Sequence, residues 1–223
     1  MPRVARTVIA GWCYHVISRG NNRTRVFHEP PDYAGFLALV SEAQARVPLD
    51  LLAACVMPNH FHFVLRPDSA PKLAIWVHWL LTSHAARHHR KNKSSGRIWE
   101  GRFKAFAIQH DRHLITVMRY VERNALRARI VERAEDWPWG SLAWRKGVSC
   151  GPVLAGSPVP LPARWGDYVN APQSLAELSV LRECANRQRP YGDDSWVGTA
   201  ATELHVSSSL RRPGRPPGKR KNQ

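Results

Sequence analysis

The alternation of apolar and polar positions lays out the first 131 residues. Tyr14-His-Val-Ile-Ser-Arg-Gly20 predicts a strand that ends in a turn at Gly20-Asn21-Asn22. Asp32 caps a helix with Phe36, Leu37, Leu39, Val40 and Ala43 on its apolar face, ending before Pro48. Leu49 to Met57 is an apolar run of buried-strand character, Pro58-Asn59 is a turn, and His60 to Leu65 is a second strand, so the two form a hairpin. Pro71 opens a long amphipathic helix to about Lys91, which Ser94-Ser95-Gly96 breaks. Trp99 to Ile108 predicts another strand. Arg112 to about Val131 predicts a second long helix, with Leu114, Ile115, Met118, Val121 and Ala125 on its inner stripe.

The order β-α-β-β-α-β-α predicts an α+β fold of ferredoxin-like or RRM-like type, one antiparallel sheet with helices on one face. This domain takes residues 1–147. The Gly- and Pro-rich stretch from Gly151 to Pro162 marks residues 148–170 as a linker, and residues 171–210 as a small helical extension of two or three short helices. Residues 211–223 carry no core-forming side chain and predict a disordered basic tail. There is no internal repeat.

Charge narrows the class. Hydrophobic residues make up 43% of the 223, enough for a core. Thirty-three Lys and Arg against 17 Asp and Glu give a net charge of +16, which points to a polyanionic partner, nucleic acid or an anionic membrane. The predominance of Arg suits bidentate phosphate contacts, and equally reflects a GC-rich genome. No apolar run approaches the roughly 18 residues that a membrane span needs, and the start, Met1 to Gly11, is too short and polar for a signal peptide. Cys13, Cys55, Cys150 and Cys184 form no CxxC pair, which predicts reduced thiols and a cytoplasmic protein.

Among candidate chemistry, His60-Phe61-His62 stands first. Alternate strand residues share a face, so two imidazoles can hold one metal while Phe61 points to the core; two unrelated strand histidines are the other reading. Tyr120 and Asn124 lie four apart on the second long helix and share its face: a hydroxyl able to act as nucleophile beside an amide oxygen able to ligate, or a half-buried Tyr beside a surface Asn. The same helix carries Arg112, Arg119, Arg123, Arg127 and Arg129, a density suited to a phosphate backbone. His84, His88 and His89 read as a solvated or DNA-facing helix end. His110-Asp111-Arg112-His113 has HxxH spacing but straddles a strand end and a helix start. Most of the nine tryptophans read as core, with base stacking the other use. No acidic triad, P-loop, GxSxG or GxGxxG is present.

Taken together in order, several segments resemble the HUH single-tyrosine transposases, and more narrowly the REP-associated tyrosine transposases of bacteria. They are Tyr14-His15-Val16 with Arg19-Gly20-Asn21, Val56-Met-Pro-Asn-His-Phe-His-Phe-Val-Leu65, Trp99-Glu-Gly-Arg-Phe-Lys104, Tyr120-x-x-x-Asn124-x-x-Arg127-Ala128 and Asp136-Trp-Pro-Trp139, spanning roughly residues 12–145. Ala125 stands where the family often has Pro, which predicts a helix that runs straight on; Arg129 and Gly140 depart from the pattern as well.

The resemblance implies the HUH endonuclease fold and strand transfer through a 5′-phosphotyrosine on Tyr120. It implies a divalent ion, Mg²⁺ or Mn²⁺, held by His60, His62 and Asn124; softness alone would suit Zn²⁺ or Mn²⁺ better than Mg²⁺. It further implies single-stranded DNA beside REP-like hairpins as the partner, no membrane partner, a monomer rather than a homodimer, and a cytoplasmic, nucleoid-associated bacterial setting. Candidate DNA contacts are Arg19, Arg23, Arg25, Arg102, Lys104, Arg119, Arg123 and Arg127, with Arg3 and Arg6 beside them. Gly214-Arg215-Pro216 echoes an AT-hook core within a generic basic tail. The competing readings are a non-catalytic module that binds single strands on its sheet as an RRM does, against which the lack of an RNP-like aromatic motif counts, and a host-serving descendant that binds without mobilising.

Overall fold

The computed structural model describes residues 7–211. The expectations for Arg3, Arg6, the Gly214-Arg215-Pro216 motif and the tail beyond Arg211 lie outside the described residues. The elements are β1 (Cys13–Arg19), α1 (Pro30–Arg46), β2 (Asp50–Met57), β3 (His60–Arg66), α2 (Ala70–Asn92), β4 (Lys104–Ile108), α3 (Arg112–Glu122), α4 (Asn124–Arg127), α5 (Ser141–Arg145), α6 (Trp165–Asn170), α7 (Leu175–Arg187) and α8 (Asp194–Glu203).

The four strands form one antiparallel sheet in the order β2-β3-β1-β4. The α+β class and the ferredoxin-like strand arrangement are as expected. Period-2 alternation divides the strands between two cores. Tyr14, Val16, Phe61, Phe63, Leu65 and Ala105 pack with Phe36 and Val40 of α1 and with Leu73, Trp76 and Leu80 of α2. On the opposite face Cys13, Cys55, Val64, Phe106 and Ile108 pack with Leu114, Met118 and Val121 of α3.

Helices therefore cover both faces, not one. The two helices inside the βαββαβ unit share a face as expected, and the following helix closes the other because its apolar stripe needs a surface of its own.

Three further expectations are corrected. The last strand begins at Lys104, not Trp99. Trp99 makes a single bridge to Gly20, and Gly101 takes a φ of +43°, turning the chain out of the ladder. The helix from Arg112 does not run on to Val131. It breaks at Arg123 (φ −80°, ψ −2°), and α4 is a single turn that ends before Arg129, at φ +57°. The guanidinium of Arg123 is drawn away to the carbonyls of Val169 and Asn170, and that of Arg127 reaches the carbonyl of Tyr120 at 3.4 Å.

Residues 148–170 are not a free linker. Ala155 donates its N–H to the Leu51 carbonyl (2.9 Å), and Trp165 and Val169 of α6 are buried in the second core. The extension joins the same cores: Leu178, Leu181 and Cys184 of α7 lie in the second, Leu204 in the first, and Tyr191 bridges Ile108 of β4.

One buried carboxylate fastens these parts. Glu122, at the end of α3, accepts from Ser141 Oγ (2.6 Å), Arg145 Nε (3.0 Å) and Trp165 Nε1 (2.6 Å). Ser141 Oγ in turn accepts the N–H of Ala54 in β2 (2.9 Å). A buried charge with three donors is tolerable; its removal leaves those donors without their acceptor, the buried Ser141 and Trp165 among them. Glu122→Ala is expected to cost about 3–5 kcal/mol, read as a lower urea midpoint. An unchanged midpoint would show that the network carries no stability.

Candidate active site

The register of β1 with β3 assembles the site. Arg19 lies opposite His60, Ile17 opposite His62, and His15 opposite Val64; on the other side of β1, Ile17 faces Lys104. His15, Arg19, His60, His62 and Lys104 thus share the sheet face that α3 covers.

The hairpin turn Pro58-Asn59 aims the two histidines. Asn59 accepts the N–H of Gly20 on its carbonyl (2.7 Å), and its side-chain oxygen lies 2.7 Å from His60 Nδ1. Gly20 is required at that turn: a Cβ there would stand 2.4 Å from the Thr24 carbonyl oxygen and 2.6 Å from Val26. His62 Nδ1 lies 2.7 Å from Nε2 of His15, a residue 1% exposed whose ring stacks on His62 with centroids 4.9 Å apart.

All three imidazoles are neutral at pH 7. Burial holds His15 down at about 3, with the Arg127 charge next in effect; burial and the Arg19 charge hold His60 at about 4; burial and neighbouring His60 hold His62 well below its ordinary value. With both Nδ1 atoms engaged, Nε2 of His60 and Nε2 of His62 have no hydrogen-bond partner among the described residues. Two neutral imidazoles on one strand face, each anchored through its far nitrogen, form a donor set that fits a divalent transition ion.

Tyr120 faces them. Its ring meets His62 edge-on at 5.8 Å and His15 at 6.1 Å, and the residue is 6% exposed. The guanidinium of Arg127 lies over the same ring, 4.1 Å from its centroid, and donates to Asn124 Oδ1 at 2.9 Å. Burial lowers the Arg127 pKa, and the neighbouring Tyr120 opposes this most strongly. Asn124 is buried, its Nδ2 has no partner among the described residues, and its oxygen keeps one lone pair beyond the bond to Arg127.

The expected basic residues divide. Arg19, Arg102 and Lys104 line one small cavity with Ser18, Glu100 and Asn186. Arg23 is exposed in the turn after β1. Arg25 is exposed, and its guanidinium donates to the carbonyls of Phe27 (2.8 Å) and His28 (3.2 Å). Arg127 belongs to the tyrosine.

Arg119 and Arg123 turn their guanidiniums onto main-chain carbonyls. Arg119 is buried, stacks on Tyr168 at 4.3 Å and donates to the carbonyls of Ala171 (2.7 Å) and Pro172 (3.0 Å), while Arg123 donates to those of Val169 and Asn170. Both cap the chain leaving α6, because the C-terminal carbonyls of a helix attract cations.

His15 and Asn59 join the site without any local sequence signal that marks them for it. Only Tyr14-His15-Val16 within the first strand pattern hints at the former, since cross-strand register is invisible in a local pattern.

His110 and His113 separate: His110 Nε2 accepts from Cys13 N–H (2.8 Å), while His113 bridges Asp111 (2.7 Å) and Asp193 (3.7 Å). Among the described residues Asp111, His113 and Asp193 are close enough to share a cation. Asp111 also caps α3 through the His113 N–H, and Arg112 already pairs with Asp193. The trio therefore ties α3 to the start of α8.

The family model for "Transposase IS200 like" matches residues 9–124, a span containing both histidines, Tyr120 and Asn124. The chain belongs to this family. A curated Haemophilus influenzae protein named as a REP-associated tyrosine transposase is 29% identical over 105 residues, 43% of this chain and 60% of that protein. This chain thus spans about 60% of the relative's length. A solved structure of a REP-associated tyrosine transposase bound to a REP hairpin superposes with a TM-score of 0.55 at 17% identity, covering 70% of this chain and 93% of the other. That likeness is one of fold. Among the described residues of this IS200-like transposase, no helix is long and apolar enough to cross a membrane.

Arg119→Ala and Arg123→Ala are expected to lower stability by about 1–3 kcal/mol each and to speed hydrogen exchange in residues 165–172. The salt dependence of oligonucleotide binding should not change. A shallower salt slope in either variant would return that arginine to the DNA surface.

Proposed function

We propose that this transposase cleaves and rejoins single-stranded DNA next to a hairpin of REP-like type, with Tyr120 as nucleophile. The observation that carries the reading is the packing of Tyr120 against His62, with His60 on the same strand face, inside the segment matched by the family model.

In this reading His60 and His62 offer Nε2, and Asn124 its free oxygen lone pair, to a divalent ion. Bound there, Mg²⁺ or Mn²⁺ supplies Lewis-acid polarisation of the scissile phosphate. Tyr120 Oη attacks phosphorus in line, its proton leaves to solvent or a base, and the P–O3′ bond breaks to free a 3′-hydroxyl. The 5′-phosphotyrosine keeps the bond energy, so attack by another 3′-hydroxyl rejoins strands without a nucleotide cofactor. Arg127 orients the phenol ring, over which its guanidinium lies. Arg19 and Lys104, beside His60 and Ile17 on the same face, take the flanking phosphates.

The RRM-like alternative loses its platform. An RRM binds bases on an open sheet face, and here both faces are covered. A binding-only descendant keeps the same grip without the chemistry, and the nucleophile test separates the two.

Tyr120→Phe removes one oxygen and should retain oligonucleotide binding while forming no covalent adduct. The unaltered protein with a labelled hairpin oligonucleotide and Mn²⁺ should give a protein–DNA band on a denaturing gel, with the link mapped to Tyr120. EDTA, His60→Ala or His62→Ala should abolish that band, and Asn124→Ala should weaken it less, because water can fill a vacated position. Adduct formation by the phenylalanine variant would overturn the reading, and cleavage that survives EDTA would overturn the metal.

Electrostatics gives a second test. If about 4–6 phosphates are neutralised, log K against log salt should fall with a slope of about −3 to −4 on single strands. Arg19→Ala and Lys104→Ala should each reduce that slope by about 0.7; no change in either would place the DNA elsewhere.

A further inference from the structure

His15 stands out as a buried group that the proposed chemistry does not use. It lies on β1, 1% exposed, with its ring stacked on His62 and its Nε2 at 2.7 Å from His62 Nδ1. Its own Nδ1 is buried and has no partner among the described residues. An apolar ring would fill the same volume with no orphaned atom of its own, so what the imidazole provides is the bond to His62.

Two neutral imidazoles meeting nitrogen to nitrogen share one proton, and there are two ways to place it. If His15 Nε2 carries the proton, His62 Nδ1 accepts, the His62 proton must sit on Nε2, and that nitrogen has no lone pair for a metal. If His62 Nδ1 carries it, His15 Nε2 accepts, and His62 Nε2 presents its lone pair. His60 is set in the second way by Asn59, whose side-chain oxygen takes the Nδ1 proton. The geometry points to His15 as a positioning residue that holds His62 in the Nδ1–H tautomer and fixes its ring, so that both histidines present Nε2 together. The inference rests on the metal reading above, and concerns what prepares the ligand rather than the ligand itself. It also accounts for the unpartnered Nδ1 of His15: the tautomer that frees His62 puts the His15 proton there, and the loss to folding is offset by ligation.

The test uses the full chain and Mn²⁺ alone, without DNA. His15→Phe keeps a ring and removes the acceptor. His15→Gln places a side-chain oxygen near the former Nε2 and can accept the same proton. Loss of an outer partner of a ligating histidine commonly lowers metal affinity about 10- to 100-fold. That loss is expected for His15→Phe in an electron paramagnetic resonance titration, with His15→Gln close to the unaltered protein. Nitrogen-15 spectra of His62 without metal should show the Nδ1–H tautomer in the unaltered protein and in His15→Gln, and a mixture in His15→Phe. Should that variant not fold, His15→Asn, too short to reach His62, takes its place against His15→Gln.

His60→Ala is titrated in parallel. If it loses Mn²⁺ while His15→Phe binds normally, the role of His15 is overturned and the metal site stands. If His60→Ala also binds normally, the metal reading itself fails.

Discussion

Glu122 is the constraint on which the arrangement of α3 depends. The sheet face bearing His15, His60 and His62 is polar at its centre, so apolar packing alone does not determine how a helix crosses it. Leu114, Met118 and Val121 supply the burial, and Glu122 supplies the direction by joining α3 to β2 through Ser141, to α5 through Arg145 and to α6 through Trp165. Tyr120 sits two residues before this anchor. The placement of its ring against His62 therefore follows from a hydrogen-bond network on the far side of the same helix turn, and a buried charge of this kind acts through specificity of arrangement as much as through stability.

Closing both faces of a four-stranded sheet changes what the sheet can do. An open face offers a broad platform for bases, while a covered one offers only the seam between helix and strands. Here that seam is lined by neutral imidazoles, a phenol and an amide, with Arg127 lying over the phenol. Such a seam suits one phosphate brought to it from outside, with grip supplied by charges at its edge. Arg19 and Lys104 lie at that edge, on strands whose other faces are packed in the first core.

The arginines show why charge counts overstate a binding surface. Arg119, Arg123 and Arg145 spend their guanidiniums on carbonyls and on a buried carboxylate, fastening residues 165–172 and α5 to the body. The stretch after residue 147 is held to the fold by these bonds. Its Gly- and Pro-rich run from Gly151 to Pro162 forms no helix or strand, yet Ala155 donates to the Leu51 carbonyl of β2, and α6 beyond it buries Trp165 and Val169.

The strands, the two helices of the βαββαβ unit and the placement of His60 and His62 on one face were all legible in the sequence, because each rests on a local period of 2 or 3.6 residues. The charge that suits a polyanion was legible for the same reason, as composition needs no fold. What only the tertiary structure decided depends on pairs distant in the chain. Whether α3 lies over the histidine face or beside α1 and α2 turns on which apolar stripe meets which sheet face. The helix break at Arg123 turns on carbonyls that arrive from residues 169 and 170. The contact of His15 with His62 turns on the register of two strands some forty-seven positions apart. Register shifted by one residue would send every side chain to the opposite face, and no local pattern reports which register the turns and cores select.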